Sequence, residues 1–199
     1  MSKRLFDLVL SSLGLLLLGP ALLLIALLIK LDSSGPVFFR QERVGRFGKP
    51  FRIHKFRTMR HDSGGAQGLQ ITVGADARIT RVGGVLRGSK LDELPQLMDV
   101  WVGTMSLVGP RPEVPRYVAH YPAALRDKVL SVRPGITDIA SIEYRDESAV
   151  LALAADPEQA YIHEVLPHKL ALAASYVDQA SVWMDVKLIC RTIKAIVRG

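Results

Sequence analysis

The chain is poor in the residues and motifs that would place it in many familiar protein classes. It contains 199 residues and one cysteine, Cys190, so no internal disulfide can form and a reducing compartment is favoured. A P-loop, the GxSxG and HExxH motifs and a dinucleotide-binding fingerprint are all missing. The five histidines show no metal-ligand spacing. Any chemistry that the chain performs therefore belongs to another class.

Charge is absent between residues 8 and 29, where about half of the side chains are leucine. A straight helix of this length would extend about 33 Å, enough to cross a bilayer. Gly19-Pro20 interrupts the run near its middle, and proline within a helix removes a hydrogen bond and clashes with the preceding turn. The run is too long for a cleaved secretory signal.

Both flanks of this apolar run are basic, with Lys3 and Arg4 before it and Lys30 after it. Basic flanks tend to stay on the cytoplasmic side of a membrane. The sequence thus favours a re-entrant helix over residues 1–32 that is broken at Gly19-Pro20 and returns to the side it entered from. The alternative is an ordinary span with a proline kink, which membrane helices tolerate.

Acidic residues are scarce near this helix. Residues 1–60 contain 11 Lys and Arg against 3 acids, whereas residues 61–199 contain 15 against 16. A basic cluster beside a membrane element attracts anionic phospholipids, and it would also attract a phosphorylated substrate. Nucleic acid is the least favoured partner, because no nucleic-acid-binding module is visible.

Residues 33–199 are predicted to form one cytosol-facing α/β domain, mostly helical with a small sheet. Phe51–Phe56 alternates apolar and polar residues, which indicates a half-buried strand after a turn containing Gly45 and Gly48. Helical spacing predicts a helix from Ser89 to Trp101, and residues 61–75 have the composition of a loop. Residues 185–198 form a basic amphipathic helix that lies either in the membrane interface or against the core.

Asp92 and Glu93 are the first candidate functional residues. Acidic residues in the first turn of a helix are common because they interact favourably with the helix dipole, and most such pairs have no other role. This pair, however, has three arginines within fifteen residues upstream and Arg111 downstream. Carboxylates among arginines suit a site for phosphate and a divalent cation, because an aspartate can attack phosphorus and a glutamate can hold Mg²⁺.

Basic side chains supply the remaining candidates. Arg111 stands between Pro110 and Pro112, which restrict the backbone, and its planar guanidinium suits phosphate oxygens. Lys55 and Arg57 would share one face of a strand and could bind a phosphate or lipid headgroups.

Four segments, read in order after the interrupted helix, closely resemble the monotopic phosphoglycosyl transferases of the bacterial sugar transferase family. They are KFRTM (55–59), ITRVGGVLRGSKLDELPQL (79–97), MSLVGPRP (105–112) and RPGIT (133–137). The resemblance covers nearly the whole chain. Two departures are Gly19-Pro20, where Ser-Pro is common in the family, and DIASIEYRDE (138–147), where GWAQVNGRN often follows RPGIT.

The resemblance implies an enzyme of the bacterial inner membrane, active on its cytoplasmic face in the first membrane step of glycan assembly. Such an enzyme transfers a sugar 1-phosphate from a UDP-sugar to polyprenol (undecaprenyl) phosphate and releases UMP. It implies that Asp92 is the nucleophile, that Glu93 coordinates Mg²⁺, and that Pro110, Arg111 and Pro112 contact the donor. Lys55, Arg87 and Arg145 match further basic positions of the family near the active site.

Two other classes stay open at this point. The chain could be a membrane-anchored module that binds nucleotide-sugars without turnover, or a scaffold that recruits partners. Neither the transferred sugar nor the oligomeric state is indicated by the sequence, and a homo-oligomer is compatible with it.

Overall fold

The computed structural model describes residues 2–60, 76–144, 147 and 151–197 of the chain. Over these residues the protein is mostly helical with small sheets and one long apolar N-terminal helix, which confirms the predicted fold class at that level. Arg145 and the loop predicted at 61–75 lie outside the described residues. The helices are α1 (Ser2–Asp32), α2 (Arg81–Gly88), α3 (Gln96–Val102), α4 (Pro115–Val118), α5 (Ala123–Val129), α6 (Ile139–Glu143), α7 (Pro157–Ala160), α8 (Leu166–Gln179) and α9 (Val182–Val197).

Short strands form three two-stranded pairings in the described part of the chain. The strands are β1 (Phe38–Phe39), β2 (Glu42–Val44), β3 (Pro50–Arg52), β4 (Lys55–Phe56), β5 (Ser106–Val108) and β6 (Gly135–Thr137). β2 and β3 are antiparallel neighbours, as are β1 and β4, whereas β5 and β6 run parallel. The predicted turn between β2 and β3 is confirmed, with Gly48 at a φ of +74°.

Helix α1 is continuous over its 31 residues and includes Pro20. The sequence predicted a break at Gly19-Pro20, but the backbone stays helical there. One proline removes a single hydrogen bond, and the turns on either side maintain the helix. Most leucines along α1 are exposed, among them Leu16, Leu17, Leu23 and Leu31. The helix is long and apolar enough to cross a membrane.

The N-terminal end of α1 is fixed to the domain by polar contacts. Lys3 Nζ donates to Asp185 Oδ2 on α9 at 2.5 Å, and Arg4 donates to the carbonyl of Trp101 at 2.8 Å. The buried carboxylate of Asp7 accepts from the backbone nitrogen of Leu107 at 3.1 Å. Charged residues near the start of α1 therefore serve as contacts to three separate parts of the domain.

The C-terminal end of α1 contacts the same domain. Asp32 Oδ2 accepts from the backbone nitrogen of Val82 at 3.0 Å, at the start of α2. Ile29 is buried in a cluster with Phe56 and Leu86. Both ends of the long helix thus pack against one domain, while its middle exposes leucine.

The largest hydrophobic cluster lies among α4, α5 and α8 and includes Val114, Tyr117, Tyr161 and Leu170. A smaller cluster joins Val108, at the end of β5, to Tyr176 of α8 and Leu188 of α9. The segment that follows β5 therefore begins from a strand that is anchored in the core.

The helix predicted from Ser89 to Trp101 is wrong in its extent. Ser89 is the C-cap of α2, and Lys90 adopts a left-handed φ of 59°. Leu91–Glu93 then forms a 3₁₀ turn, and α3 begins only after Pro95. A left-handed residue ends a helix, and a proline ring clashes with the carbonyl four residues before it. Both carboxylates consequently lie in a short turn between two helices.

Candidate active site

Glu93 is held by two cations that come from distant parts of the chain. Lys55 Nζ of β4 donates to Glu93 Oε1 at 2.7 Å. The Arg111 guanidinium donates to Oε1 at 2.5 Å and to Oε2 at 3.2 Å, so it grips the carboxylate with both arms. The Glu93 and Lys55 side chains are 15% and 17% exposed. The structure thus brings together three of the residues singled out in the sequence.

The two adjacent carboxylates titrate in opposite directions. Burial alone would raise the pKa of Glu93, but the charges of Arg111 and Lys55 outweigh burial and hold that pKa well below its ordinary value. Burial raises the pKa of Asp92, the charge of Lys55 opposes this, and the charge of Glu93 adds to it, so the net pKa is raised. Neighbouring acids with divergent pKa values are typical of sites where each has a different role.

Asp92 is the carboxylate left without a partner. Among the described residues it makes no hydrogen bond and no ion pair within 4 Å. Burial disfavours its charged form, and a carboxylate with a raised pKa is a stronger base and nucleophile than an ordinary one. Its oxygens can therefore approach an electrophile without first breaking a salt bridge.

Arg87, in the last turn of α2, adds a third cation beside the carboxylates. Its charge lowers the pKa of Asp92, and burial lowers the pKa of Arg87 itself while Asp92 opposes that effect. Arg87 Nε donates to Thr58 Oγ1 at 2.8 Å, and Thr58 is buried. This hydrogen bond fixes the inner part of the guanidinium. Thr58 was not among the residues predicted from the sequence.

The loop that carries Arg111 is supported from two sides. Its backbone nitrogen donates to Asp138 Oδ2 at 3.2 Å, and Arg43 Nη1 donates to the carbonyl of Pro112 at 3.0 Å. Arg43 is also 3.7 Å from the carboxylate of Glu113. Pro110 and Pro112 thus position Arg111 through the backbone. No sequence pattern points to Arg43, because these partners lie about 70 residues away along the chain.

Glycine is required where this loop leaves the sheet. A Cβ on Gly109 would lie 2.5 Å from the carbonyl oxygen of Arg133, and a Cβ on Gly135 would lie 2.1 Å from the nitrogen of Gly109. The close approach lets Gly109 donate its N–H to the carbonyl of Thr137 at 3.1 Å. The backbone of the RPGIT segment therefore sets the starting point of the Arg111 loop.

Arg57 is directed away from the carboxylates. Its Nε donates to the carbonyl of Pro36 at 2.6 Å, and its Nη2 donates to the carbonyl of Ser33 at 2.8 Å, with Ser34 also accepting. The side chain is buried at the C-terminal end of α1, where carbonyl groups lack helical partners. Strand β4 ends at Phe56, so the expectation that Lys55 and Arg57 share one target is not met.

Carboxylate oxygens are the ligands in this site that suit Mg²⁺, which is usually held by one or two carboxylates together with substrate phosphates. Within the described part of the chain, neither oxygen of Asp92 accepts a hydrogen bond, and Glu93 Oε2 accepts one of 3.2 Å. Over the described residues, no group of three or more His, Cys, Asp or Glu side chains could hold a metal. The pair fits Mg²⁺ only with oxygen ligands from a substrate.

The chain matches known proteins over most or all of its length. The profile of the family described as bacterial sugar transferase matches residues 1–199. A Caulobacter vibrioides protein named UDP-glucose:undecaprenyl-phosphate glucose-1-phosphate transferase is 39% identical over 196 residues, which cover 98% of this chain and 69% of that protein. A Klebsiella pneumoniae protein of the same name is 39% identical over 96% of this chain but 39% of its own length.

A third relative carries a different sugar in its name. The Aeromonas hydrophila UDP-N-acetylgalactosamine-undecaprenyl-phosphate N-acetylgalactosaminephosphotransferase is 38% identical over 99% of this chain and 44% of its own length. The chain thus spans less than half of the Klebsiella and Aeromonas proteins. The match to the family extends over the whole sequence, including the Asp92-Glu93 turn and the Arg111 loop, and the chain belongs to the bacterial sugar transferase family.

Proposed function

We propose that the protein is a phosphoglycosyl transferase that moves a sugar 1-phosphate from a UDP-sugar to undecaprenyl phosphate. The observation that carries the proposal is the position of Asp92, which has a raised pKa and no hydrogen bond or ion pair among the described residues, beside a Glu93 held between Lys55 and Arg111. Relatives at 38–39% identity are named for this transfer. The reaction would be the first membrane step in the assembly of a glycan.

In the first half of the reaction, Asp92 is the nucleophile. A carboxylate oxygen attacks the phosphorus next to the sugar, a new O–P bond forms, and the bond to the bridging oxygen of the diphosphate breaks with release of UMP. The sugar phosphate is then held on Asp92 as an acyl phosphate. An oxygen of undecaprenyl phosphate attacks the same phosphorus, the bond to Asp92 breaks, and the carboxylate is regenerated with undecaprenyl diphosphate-sugar as product.

Three cations surround the position where charge develops. Arg111 and Lys55 lie on the Glu93 side, and Arg87 lies near Asp92. Preorganised cations in a partly buried site stabilise a phosphoryl transition state more than they would in water. Mg²⁺, held by the carboxylates of Asp92 and Glu93, would supply further neutralisation of the diphosphate oxygens when bound.

The two ends of α1 support a monotopic placement on the cytoplasmic face of the inner membrane. A helix that spans a bilayer separates its ends by about 30 Å of hydrocarbon. Here Lys3 and Asp32, near opposite ends, both bond to the same domain. Because α1 is continuous and both of its ends contact this domain, we place the helix on the domain's side of the membrane rather than across the bilayer. The exposed leucines of α1 would then lie in the lipid.

Helix α9 is proposed as the interfacial helix. Leu188 and Asp185 face the domain, while Trp183 and Ile193 are 67% and 57% exposed. Exposed Lys187, Arg191 and Lys194 accompany them. Tryptophan with basic residues on a helix face is typical of a helix lying among phospholipid headgroups. Such a placement would hold the catalytic turn at the depth of the undecaprenyl phosphate.

The topology is tested with two cysteines in a Cys190→Ser background. We expect Ser2→Cys and Ser34→Cys to react with a membrane-impermeant maleimide in inside-out vesicles and to be protected in right-side-out vesicles. Labelling of the two positions from opposite faces would show a spanning helix.

The chemistry is tested by intact-protein mass and by UMP release. The full chain in detergent micelles is incubated with Mg²⁺ and either UDP-glucose or UDP-N-acetylgalactosamine, the donors named for its relatives. We expect one donor to add the mass of a sugar phosphate, and undecaprenyl phosphate to remove it. Asp92→Asn should abolish the adduct, while Asp127→Asn, which changes an exposed aspartate, should not. Binding of the donor without UMP release would instead show a binding module.

A further inference from the structure

The Glu93 carboxylate is already engaged on both oxygens by cations of the protein itself. Lys55 and Arg111 both contact Oε1, and Arg111 also contacts Oε2. A divalent cation that binds this carboxylate alone must approach two positive charges at the same group. The resting site is therefore built to repel a bare metal ion.

Asp92 offers the remaining carboxylate, and it is a poor site for a bare ion. Arg87 and Lys55 both act on Asp92 electrostatically, so the carboxylate already experiences two positive charges. Asp138, the next acid toward the Arg111 loop, is occupied by two backbone nitrogens, those of Arg111 at 3.2 Å and Ser141 at 2.7 Å. Mg²⁺ gives up its water reluctantly and needs several oxygen ligands, which one carboxylate cannot supply.

We infer that the divalent cation enters the site as a chelate with the diphosphate of the donor, and that the protein without nucleotide has little affinity for the metal. This inference rests on the proposed function. A diphosphate provides two negative charges and several oxygens, and its oxygens compete with Glu93 for the planar guanidinium of Arg111 and for Lys55. Once Arg111 and Lys55 bind the phosphate oxygens instead of Glu93, the Glu93 carboxylate becomes available as a metal ligand beside Asp92.

The inference makes the binding of metal and nucleotide mutually dependent. Each must raise the affinity for the other by the same factor, because coupling between two binding events is reciprocal. A factor of about ten or more is expected, since couplings between sites typically lie between about 5-fold and 150-fold. The mechanism places Lys55 and Arg111 as the groups that keep the metal out until the diphosphate arrives.

The first test is equilibrium dialysis of the full chain in zwitterionic micelles, with Mn²⁺ as the probe. Retained Mn²⁺ is counted with and without UDP, and a chamber with UDP but no protein corrects for the free chelate. We expect near-stoichiometric retention with UDP and at least about tenfold weaker retention without it. Calorimetry of UDP binding with Mn²⁺ and with EDTA should give the same factor.

Variants then test the role of the two cations without reference to turnover. Lys55→Met and Arg111→Met should each strengthen Mn²⁺ binding in the absence of UDP by about tenfold, because each variant removes one of the two positive charges that contact Glu93. Lys49→Met is the matched control, since it removes the same charge from an exposed position in the β2–β3 turn and should leave retention unchanged. Circular dichroism confirms that each variant is folded.

The outcomes separate this inference from the proposed function. Equal Mn²⁺ retention with and without UDP, in a protein that binds UDP, would overturn the inference and leave the proposed function intact. Unchanged retention in both Lys55→Met and Arg111→Met would also overturn it. A protein that binds neither UDP nor a UDP-sugar in any metal condition would remove the proposed function itself.

Discussion

The molecule contains two separate clusters of buried or partly buried charge, and they differ in how their charges are paired. The anchor cluster consists of Lys3, Tyr176 and Asp185, where α1 meets α8 and α9. The Lys3 ammonium donates to Asp185, to Tyr176 and to the carbonyl of Val108, and the Tyr176 hydroxyl donates to the other oxygen of Asp185. One positive charge meets one negative charge, and every strong donor has an acceptor.

The site cluster consists of Lys55, Asp92, Glu93 and Arg111. Its charges are not paired one to one. Two cations share Glu93, while Asp92 has no direct partner within the described residues. A matched cluster gains stability from its contacts, whereas an unmatched one keeps charge and lone pairs for a ligand. The comparison suggests that residues of the two clusters will respond differently to the same kind of substitution.

The largest expected effect is on catalysis at Asp92. Asp92→Asn should lower turnover by about 10⁴-fold or more, as expected when a nucleophile is removed. The same change should raise the melting temperature by about 2 to 4 °C, the shift that about 1 kcal/mol produces in a domain of this size. The reason is that the raised pKa of Asp92 makes its charge unfavourable to folding at pH 7. Turnover assays and thermal melts of the same preparations check the expected loss of activity and the expected rise in melting temperature. A lower melting temperature would contradict the view that the Asp92 charge is unfavourable to folding.

In the anchor cluster the same substitution should act in the opposite sense. Asp185→Asn should lower the free energy of unfolding by about 2 kcal/mol, and the melting temperature by about 4 to 8 °C, because it unbalances a buried pair whose lysine is one-third exposed. Turnover per folded molecule at 20 °C should remain near that of the unmodified protein. Asp178→Asn is the control, since its pair with Lys128 is equally short but exposed and should shift the melt by less than about 2 °C. A similar shift in both would show that burial is irrelevant here.

Thr58 gives a smaller effect that concerns Arg87. Thr58→Val keeps the shape but removes the acceptor for Arg87 Nε, and should lower kcat/KM by about tenfold, the usual order for a hydrogen bond to a charged group. Thr58→Ser retains the hydroxyl and should restore most of the loss. In an Arg87→Met background, Thr58→Val should have no further effect on kcat/KM. Additive losses would show that Thr58 acts through something other than Arg87.

A smaller effect is expected on the pH profile of adduct formation. Asp92 must be deprotonated to attack, so the rate of adduct formation should fall with decreasing pH at a value above the ordinary aspartate pKa of 3.8. Lys55 lowers the pKa of Asp92, and Lys55→Met should therefore move this acid limb to higher pH, whereas Lys49→Met should leave it in place. Rapid-quench measurement of the adduct across pH gives the limb directly, and a shift toward lower pH would contradict the assigned charges.

Glu93 provides the opposite linkage to stability. Its pKa in the folded protein lies well below the ordinary value of 4.5, so its contribution to folding is complete above that value and is lost as the pH falls through the folded-state pKa. Stability at pH 6 is thus expected to exceed stability at pH 3.5 in the unmodified protein, with a smaller difference in Glu93→Gln.

Local patterns in the sequence predicted much of this molecule. The long apolar helix, the hairpin around Gly45 and Gly48, and the C-terminal helix are all present, the last beginning at Val182 rather than at residue 185. Each of these depends on periodicity or turn chemistry within a few residues. Arg111 and Glu93 are both predicted from the sequence as site residues, and the structure places them in contact, while their roles toward the donor and the metal stay predictions.

Long-range partners were beyond the reach of such patterns. Arg57 was expected beside Lys55, but the strand ends at Phe56 and the guanidinium binds carbonyls at the end of α1, over 20 residues earlier. Arg43 and Thr58 act through contacts that no spacing in the sequence encodes. The sequence does contain a signal for the division of the predicted 89–101 helix, because Pro95 favours a helix start just after it. The helical spacing of the apolar residues continues across Pro95, and the prediction followed that spacing.

The facing glycines at positions 109 and 135 set a boundary for anyone who wishes to re-engineer sugar choice. Neither position has room for a methyl group, since the obstructing atoms are main-chain atoms of the opposite strand rather than movable side chains. Replacing either one would force the parallel strands apart and displace the loop that carries Arg111. Mutagenesis libraries should therefore leave this pair untouched and diversify exposed side chains around the site.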